Sequence, residues 1–533
     1  MFWADRLGHD IEQKFQEKIK SGRPLIIRDE KTASGRVHVG SLRGVAIHGL
    51  LSEILSERNI NNTYLFEIND HDPMDDIPAT LDRKTYEPYL GKPLNTVPSP
   101  DGVAVNFAEY YAAEFIGVIK ELGFSPEFYR VSDLYRSGKF NEAIRLALEH
   151  AEEIGKINRE VSGSERSADR LPINVVCEQC GKVSTTVATS FDGERVSYTC
   201  KDVAFTNGCG YQGTVSPFNG RAKLPWKVEW AAKFKILDVD IEGAGKDHST
   251  RGGSRQVAEA ISRRVFNHEP PFNIPYEFFN IGGKKMSSSK GRGSSSREVA
   301  DVFPPELVRL LLLQREPQRV IDFNPEGDTV PLLYDAYDSY AEKYFADRAT
   351  QNQLSDFSRT FFLMHRPSDR PLLSAHFLPR FSYITYLVQM PHISITAHVE
   401  KEKGSTLTIE DVQEIELRET YARRWLDTYA PPEYQFFLQQ TLPQAAKNFS
   451  TEQKTALKKV LEKIMSFGAD SISGLELHTA LHDIKNEMGI HPKDFFSAIY
   501  ISFLDRASGP KAGWFLSVLD RDFVVQRLKE ASV

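Results

Sequence analysis

Residues 24–69, PLIIRDEKTASGRVHVGSLRGVAIHGLLSEILSERNINNTYLFEIN, carry the pattern that decides the fold. A short apolar run at 24–29 precedes a turn-rich stretch at 31–36, which predicts a strand followed by a loop. From Ser41 onward, apolar residues recur at spacings of three and four, the period of a helix. The β-branched and aromatic run 62–69 then predicts a second strand. A β-loop-α-β unit of this kind builds a parallel sheet.

The sheet pattern is interrupted between about residues 95 and 220 and then resumes. Helical stretches at 107–122 and 140–157 and a cysteine region fill the interruption. Strand-like alternation returns at 236–241 and 276–281, on either side of a helical segment at 254–266. We therefore predict an α/β fold, in which a Rossmann-type parallel-sheet domain is split by an insertion.

The part of the chain beyond about residue 330 has a different composition. Only 6 of the 34 glycines lie there, and amphipathic segments such as 451–467 dominate. This composition predicts an all-α C-terminal region.

The bulk properties set further limits. A chain of 533 residues is too long for one hydrophobic core, so we expect three or four domains. No apolar run is long enough to span a bilayer, and the N-terminus lacks the basic and apolar segments of a signal peptide, so we expect a cytoplasmic protein with no membrane partner. Because the net charge is -7, any contact with RNA must come from local basic patches.

The first chemical motif is His38-Val39-Gly40-Ser41, at the point where the loop after the first strand enters a helix. The free N–H groups of a helix N-terminus can hold a triphosphate, and Gly40 allows the backbone to approach it closely. His38 could then donate to a phosphate. Taken alone, the tetrapeptide is weak evidence and favours the simpler interpretation, in which Ser41 caps a helix and His38 is an ordinary loop residue.

The second motif, Lys284-Lys285-Met286-Ser287-Ser288-Ser289-Lys290-Gly291, follows a predicted strand at 278–281. A Ser/Gly/Lys loop can close on a phosphate chain, where a lysine stabilises the charge that develops in the transition state. A solvated basic loop would have a similar composition. HVGS followed by KMSSS resembles the signature pair of class I aminoacyl-tRNA synthetases, and Gly243-Ala244-Gly245-Lys246-Asp247-His248 resembles a segment that lines the adenosine and amino acid pocket in the same class.

More specific segments resemble class I lysyl-tRNA synthetase over nearly the whole chain. They are Trp3-Ala4-Asp5, Gly91-Lys92-Pro93-Leu94, the 223–230 stretch KLPWKVEW, 246–254, 304–323 and Gly509-Pro510-Lys511-Ala512-Gly513. The resemblance implies a Rossmann catalytic domain in two halves (1–95 and 221–300), an inserted domain (96–220) containing a zinc ribbon (177–209), a stem-contact segment (301–345) and an α-helical anticodon-binding region (346–533). It also implies ATP with Mg²⁺, lysine and tRNA(Lys) as ligands, and we expect a monomer.

The same resemblance implies the site residues. His38 and Lys285 are expected to be catalytic, by stabilising the leaving pyrophosphate. The expected ATP-binding residues are His38, Gly40, Ser41, Gly245, Asp247, Lys285, Met286, Ser287 and Ser288. Lysine needs an aromatic surface and a carboxylate or several acceptors, and the expected substrate-binding residues are Glu30, Thr32, Trp226, Trp230, His248 and Tyr276. Glu30 departs from the family, which often has glycine there, so either it contacts the substrate or it points to solvent or pairs with Arg28 or Lys31.

All four cysteines lie in a C-x2-C-x19-C-x8-C array formed by Cys177, Cys180, Cys200 and Cys209. Four thiolates satisfy the tetrahedral preference of Zn²⁺, and a site without an open position is structural. The array therefore predicts a structural zinc ion.

Two alternatives to a lysine enzyme stay open. The nucleotide motifs specify adenylation and not the substrate, so the amino acid could be glutamate or another one. The chain could also be a catalytically silent tRNA-binding homologue, although His38, Gly40, Lys285 and His248 are all present.

Overall fold

The computed structural model describes residues 1–163, 170–282, 284–285, 295–351, 353–390, 393–467 and 473–533, with the backbone alone at 284–285. Contacts divide the chain into two compact units. The first contains Met1–Phe323 with Tyr340–Leu373, and the second contains Asn324–Ser339 with Ser374–Val533.

The described strands, in chain order, are β1 (Leu25–Thr32), β2 (Asn62–Asn69), β3 (Glu127–Arg130), β4 (Asn174–Val175), β5 (Thr186–Phe191), β6 (Val196–Cys200), β7 (Gln212–Val215), β8 (Ala222–Lys223), β9 (Ile241–Gly245), β10 (Phe272–Tyr276), β11 (Phe279–Ile281), β12 (Lys284–Lys285) and β13 (Ile321–Phe323).

The described α-helices are α1 (Trp3–Lys14), α2 (Gln16–Lys20), α3 (Leu42–Glu57), α4 (Arg83–Tyr86), α5 (Phe107–Glu121), α6 (Val131–Arg136), α7 (Asn141–Glu149), α8 (Ala151–Ser162), α9 (Trp226–Ile236), α10 (Lys246–Ser249), α11 (Ser254–Arg264), α12 (Ser296–Val302), α13 (Pro305–Leu313), α14 (Thr329–Ala349), α15 (Asp356–Met364), α16 (Phe381–Leu387), α17 (Ile395–Lys403), α18 (Ile409–Thr428), α19 (Thr451–Ser466), α20 (Gly474–Met488), α21 (Pro492–Leu504), α22 (Ala512–Val518) and α23 (Arg521–Ala531).

A five-stranded parallel sheet forms the centre of the first unit, in the order β10-β9-β1-β2-β3. Strands β1 and β2 pair along their whole length, and α3 connects them with Leu50 and Ile54 buried. The β-α-β unit predicted from residues 24–69 is therefore confirmed. Because the strands are parallel, their carboxyl ends lie at one edge of the sheet, where open α/β sheets bind their ligands.

Two details of the predicted sheet are wrong. The alternation at 236–241 does not form a strand, because α9 continues to Ile236 and β9 begins only at Ile241. The residues between them form a turn, with Asp238 at a positive φ of 49°. The stretch 276–281 is also not one strand, since β10 ends at Tyr276 and β11 belongs to a separate sheet with β12 and β13.

The segment expected as an insertion contains both helices and small sheets. The predicted helix at 107–122 is found as α5, and the one at 140–157 is found as α7 and α8. Strands β5, β6 and β7 form an antiparallel sheet, and β4 pairs with β8. Strand β3 also lies in this segment but pairs with β2, so the central sheet extends beyond residue 95.

Within the described part of the second unit, every regular element is a helix. The amphipathic segment predicted at 451–467 is α19, whose N-terminus is closed by a capping box between Ser450 and Gln453. Residues 346–373, which we expected in the C-terminal region, group with the first unit. No helix in the described ranges is long and apolar enough to cross a membrane.

Candidate active site

The HVGS motif lies between the carboxyl end of β1 and helix α3, as predicted. His38 has extended backbone angles and precedes a single 3-10 turn, Val39–Ser41, which continues into α3. The backbone of His38 also forms a bridge with Ser295, and the amide of Ser296 donates to the carbonyl of Val37 at 2.8 Å. These two contacts hold Ser295 and Ser296, which follow the KMSSS motif in the sequence, beside the HVGS motif.

Only part of the KMSSS motif lies within the described residues. Lys285 lies in β12, where only the backbone is described, and Met286, Ser287 and Ser288 fall outside the described residues. Strand β12 pairs with β11, whose Asn280 lies opposite Lys285. The described residues on either side of the motif are therefore placed, Lys285 in β12 and Ser295 beside His38.

The predicted Gly-x-Asp-His segment follows β9 at the same sheet edge. Gly245 ends β9, and Asp247 and His248 lie in the short helix α10. Gly243 is required by close packing, since a Cβ there would lie 2.6 Å from the Ile274 carbonyl oxygen. Its amide donates to Nε2 of His48 at 2.7 Å, so His48 carries its proton on Nδ1 and donates to the Gly44 carbonyl at 2.8 Å.

Tyr276 ends β10 and faces the start of α3. A Cβ added to Gly44 would lie 2.9 Å from both the Tyr276 hydroxyl and Oδ2 of Asp29, so glycine allows the helix to approach the sheet. Burial raises the pKa of Tyr276 above its ordinary value, with Asp29 adding to the effect. Tyr276 is therefore a neutral hydroxyl at the sheet edge.

Three aromatic residues of the predicted lysine pocket lie together. The Trp226 and Trp230 ring centroids are 5.5 Å apart, and the His248 ring lies 5.3 Å from Trp226 and 5.9 Å from Trp230. Trp230 is buried and its indole N–H donates to Glu242 in β9. Trp226 is half-buried, so part of this residue stays accessible beside the cluster.

Glu30 belongs to an ion-pair network on the face of the sheet covered by α9. Its Oε2 accepts hydrogen bonds from Arg28 and from Nζ of Lys233, the latter at 3.0 Å. Its Oε1 makes no hydrogen bond with the described residues, and 24% of the side chain is exposed. Burial alone would raise the pKa of Glu30, but Lys233 and Arg28 hold it well below its usual range. Glu30 is therefore an ionised carboxylate with one oxygen occupied.

Lys233 is the centre of this network and is 1% exposed in its side chain. Besides Glu30, its ammonium contacts Glu67 of β2 and lies 2.8 Å from Glu229, one turn earlier in α9. Arg28 lies 2.9 Å from Glu67 and from Glu242. These contacts fasten α9, and with it Trp230, to three strands of the sheet.

The network continues to Thr32, another predicted pocket residue. The Thr32 hydroxyl donates to Asp72 at 2.8 Å, and Nζ of Lys223 lies 3.0 Å from the same carboxylate. Lys223 also pairs with Glu229, and the attraction of Asp72 and Glu229 outweighs desolvation and raises its pKa. Thr32, Glu30 and Trp230 are thus connected through buried charges.

The four cysteines gather as the spacing predicts. Their Sγ atoms all lie within 4.8 Å of one another, with Cys177 3.6 Å from Cys209 and Cys180 3.8 Å from Cys200. Thiolates at 2.3 Å from a tetrahedral Zn²⁺ would stand about 3.8 Å apart. The donor set and its spacing therefore fit zinc.

Comparison with known proteins identifies the family. A family model described as tRNA synthetases class I (K) matches residues 1–366, and a model of an anticodon binding domain matches 427–532. The chain belongs to the class I lysyl-tRNA synthetase family.

Relatives similar to this synthetase include two archaeal proteins named lysine–tRNA ligase. The protein from Methanosarcina barkeri is 33% identical over 99% of this chain and 97% of its own length. The protein from Archaeoglobus fulgidus is 30% identical over 100% of both chains. Among solved structures, a glutamate tRNA ligase from Elizabethkingia meningosepticum aligns with 96% of this chain and 99% of its own, at 11% identity and a TM-score of 0.42.

Sequence reasoning missed the buried charges of this synthetase. Glu229 and Lys233 stand four residues apart in the otherwise apolar helix WKVEWAAKF, and Glu67 interrupts an apolar strand. Charged residues inside apolar segments were the available signal, because such groups are rarely buried unless they are paired.

Proposed function

We propose that this class I synthetase is a lysine–tRNA ligase, which activates lysine with ATP and transfers it to the 3′ end of tRNA(Lys). The observation that supports lysine most strongly is the charge of the network around Glu30, Thr32 and Trp230. The charged groups of this network are buried or half-buried, so water screens their charges poorly.

Carboxylates outnumber cations in this network. The carboxylates are Glu30, Glu67, Glu229, Glu242 and Asp72, and the cations that contact them most closely are Arg28, Lys223 and Lys233. Arg255 lies farther from Glu242, at 3.9 Å, and pairs with Glu259 at 2.9 Å. Counting Arg255 together with Glu259 adds one cation and one carboxylate, so the excess of carboxylates is unchanged.

An excess of negative charge favours a substrate with a cationic side chain. The ammonium of lysine would find a partner in Oε1 of Glu30, and its alkyl stem would lie against the rings of Trp226 and Trp230. Glutamate would add another carboxylate where the existing ones already exceed the cations. This comparison favours lysine over the glutamate alternative.

ATP would occupy the carboxyl edge of the sheet. His38, Gly40 and Ser41 would hold its phosphates at the start of α3, and Gly245 and Asp247 would line the adenosine pocket. Mg²⁺, when bound, neutralises phosphate charge. Lys285, Met286, Ser287 and Ser288 would complete the phosphate site.

The proposed reaction has two steps. An oxygen of the lysine carboxylate attacks the α-phosphorus of ATP, pyrophosphate leaves with stabilisation by His38 and Lys285, and lysyl-adenylate forms. A hydroxyl of the terminal tRNA ribose then attacks the lysyl carbonyl, and AMP leaves. No covalent intermediate with the protein is needed, so catalysis is positioning and electrostatic stabilisation.

The zinc ion would be structural, with Cys177, Cys180, Cys200 and Cys209 as its four ligands. It would join the segment after β4, which carries Cys177 and Cys180, to Cys200 at the end of β6 and Cys209 before β7, because a closed tetrahedral site contributes folding free energy locally. We further propose that the enzyme works in the cytoplasm and that its helical C-terminal region binds the anticodon. A monomeric state stays a prediction.

Replacing Lys285 tests the catalytic proposal. Lys285→Ala should lower the rate of lysine-dependent pyrophosphate exchange, measured with tRNA present, by about 10²-fold or more, the scale for losing one transition-state contact. Lys20→Ala, at an exposed position in α2, is the matched control and should keep the parent rate. An unchanged rate in Lys285→Ala would contradict the proposed role, and a parent enzyme without exchange would favour the silent homologue.

A further inference from the structure

The carboxylates of the network around Glu30 differ in how many of their oxygens are already engaged. Three of them are buried, and both oxygens of each accept a hydrogen bond from a neighbouring side chain; they are Glu67, Glu229 and Glu242. Asp72 accepts from Thr32 on Oδ2, and its Oδ1 lies 3.0 Å from the ammonium of Lys223. Among the five carboxylates, Oε1 of Glu30 is the one oxygen without a partner in the described part of the chain.

The other oxygen of Glu30, Oε2, has no room for a further donor. It accepts from Arg28 and from Lys233. Because a carboxylate oxygen has two lone pairs, these two donors fill its capacity. The Lys233 ammonium also contacts Glu67 and Glu229, so three carboxylates fix its position. Glu30 therefore presents one free oxygen instead of two.

The number of free oxygens distinguishes the two strongly cationic amino acid side chains. The ammonium of lysine is a compact charge with rotatable donors, so a single oxygen can hold it. The guanidinium of arginine is a planar fork, whose preferred partner is a whole carboxylate with one N–H on each oxygen. At Glu30 the second N–H of the fork would face Oε2, which Arg28 and Lys233 already fill. A buried N–H without an acceptor is costly, so this arrangement favours an ammonium.

Asp72 does not offer a guanidinium a better alternative. Glu30 and Asp72 are the partly exposed carboxylates of the network, at 24% and 20% of their side chains. At Asp72, however, a guanidinium would meet the ammonium of Lys223, whose own side chain is 6% exposed. Like charges repel strongly where water screens them poorly. Each accessible carboxylate of the network is thus already paired with a buried lysine of the chain.

We propose that Lys233 is a positioning residue that selects lysine over arginine, because it occupies Oε2 of Glu30 and leaves Oε1 for a single ammonium. The inference rests on the proposed function, in which the ammonium of the substrate lies at Glu30. It gives the buried ion pairs of α9 a role in the choice of substrate, in addition to fastening this helix to the sheet.

The test replaces Lys233 by methionine, which removes the ammonium and keeps an unbranched side chain. The dissociation constants of lysine and arginine are measured on the whole chain with tRNA(Lys) present, by equilibrium dialysis of labelled lysine with arginine as competitor. In the parent, arginine should bind more weakly than lysine. Lys233→Met should lower the ratio of the arginine constant to the lysine constant by about 5- to 150-fold, the range for giving one unpaired N–H an acceptor.

The matched control is Lys235→Met, the same substitution two residues later in α9. Lys235 has a side chain that is 38% exposed and pairs with Glu142 at the surface, so the ratio should stay at the parent value. The ratio separates selectivity from structure, because damage to the pocket would weaken both ligands and loss of a positive charge would strengthen both. An unchanged or higher ratio in Lys233→Met, an equal fall in Lys235→Met, or a parent that binds arginine at least as tightly as lysine would overturn the proposal.

A second variant serves if circular dichroism shows that Lys233→Met does not fold. Combining Lys233→Met with Glu67→Gln removes one cation and the carboxylate that it contacts, so the net charge of the network is kept and the same fall in the ratio is expected. Because binding is measured without catalysis, a parent that binds lysine but charges no tRNA would contradict the proposed function and leave this test intact.

Discussion

Replacing Glu30 by glutamine is the sharpest perturbation of the proposed lysine pocket. The change keeps the shape of the side chain and removes the charge that pairs with Arg28 and Lys233. A hydrogen bond to a charged group contributes about 1.5–3 kcal/mol. At 1.4 kcal/mol per tenfold change, loss of the contact between Oε1 and the substrate ammonium should raise the Michaelis constant for lysine about 10- to 150-fold.

The assay is steady-state aminoacylation of tRNA(Lys) with lysine and ATP varied separately. The Michaelis constant for ATP should change little, because Glu30 lies on the sheet face covered by α9 and not at the start of α3. Glu17→Gln, at an exposed position in α2, is the control for loss of a carboxylate and should match the parent. Unchanged lysine kinetics in Glu30→Gln would refute the reasoning, and would leave Glu30 as a partner of Arg28 and Lys233 only.

Two further predictions concern stability. Cys180→Ser should abolish stoichiometric zinc binding, measured by metal analysis. It should also destabilise the insertion and leave the unfolding temperature of the central sheet unchanged. Parent protein that contains no zinc after purification without chelator would contradict this prediction. Burial opposes ionisation of Glu229, but Lys223 and Lys233 lower its pKa from 4.5 to about 2. Its stabilising contribution is therefore complete above pH 4.5 and is lost as the pH falls toward 2. In urea titrations, Glu229→Gln should flatten the fall in unfolding free energy over that interval, and a fall as steep as in the parent would count against the assignment.

The sequence predicts the parts of this fold that depend on local pattern. The strand, loop and helix at 24–69 follow from periodicity, and the cysteine spacing anticipates the gathering of the four Sγ atoms. The strand predicted at 236–241 fails for a local reason as well. Apolar residues that alternate through the turn after α9 have the same period as a strand, and in the structure Asp238 lies in that turn with a positive φ.

The ion-pair network around Glu30 and Lys233 could not be predicted in the same way. Periodicity places Lys233 and Glu229 on one face of α9, but it does not say that this face packs on the polar side chains of β1 and β2. Arg28, Glu30 and Thr32 alternate along β1 and therefore share a face, and Glu67 joins them only because β2 pairs with β1 in register. The pairing of buried charges is a property of the tertiary structure.

Amino acid selectivity tests the central claim most directly. Pyrophosphate exchange and tRNA charging should be measured with each of the twenty amino acids in turn, using the whole chain, ATP, Mg²⁺ and tRNA(Lys). The excess of carboxylates around Glu30 and Lys233 predicts that lysine alone supports efficient reaction. Glutamate supporting exchange as well as lysine, or no amino acid supporting it, would contradict the account.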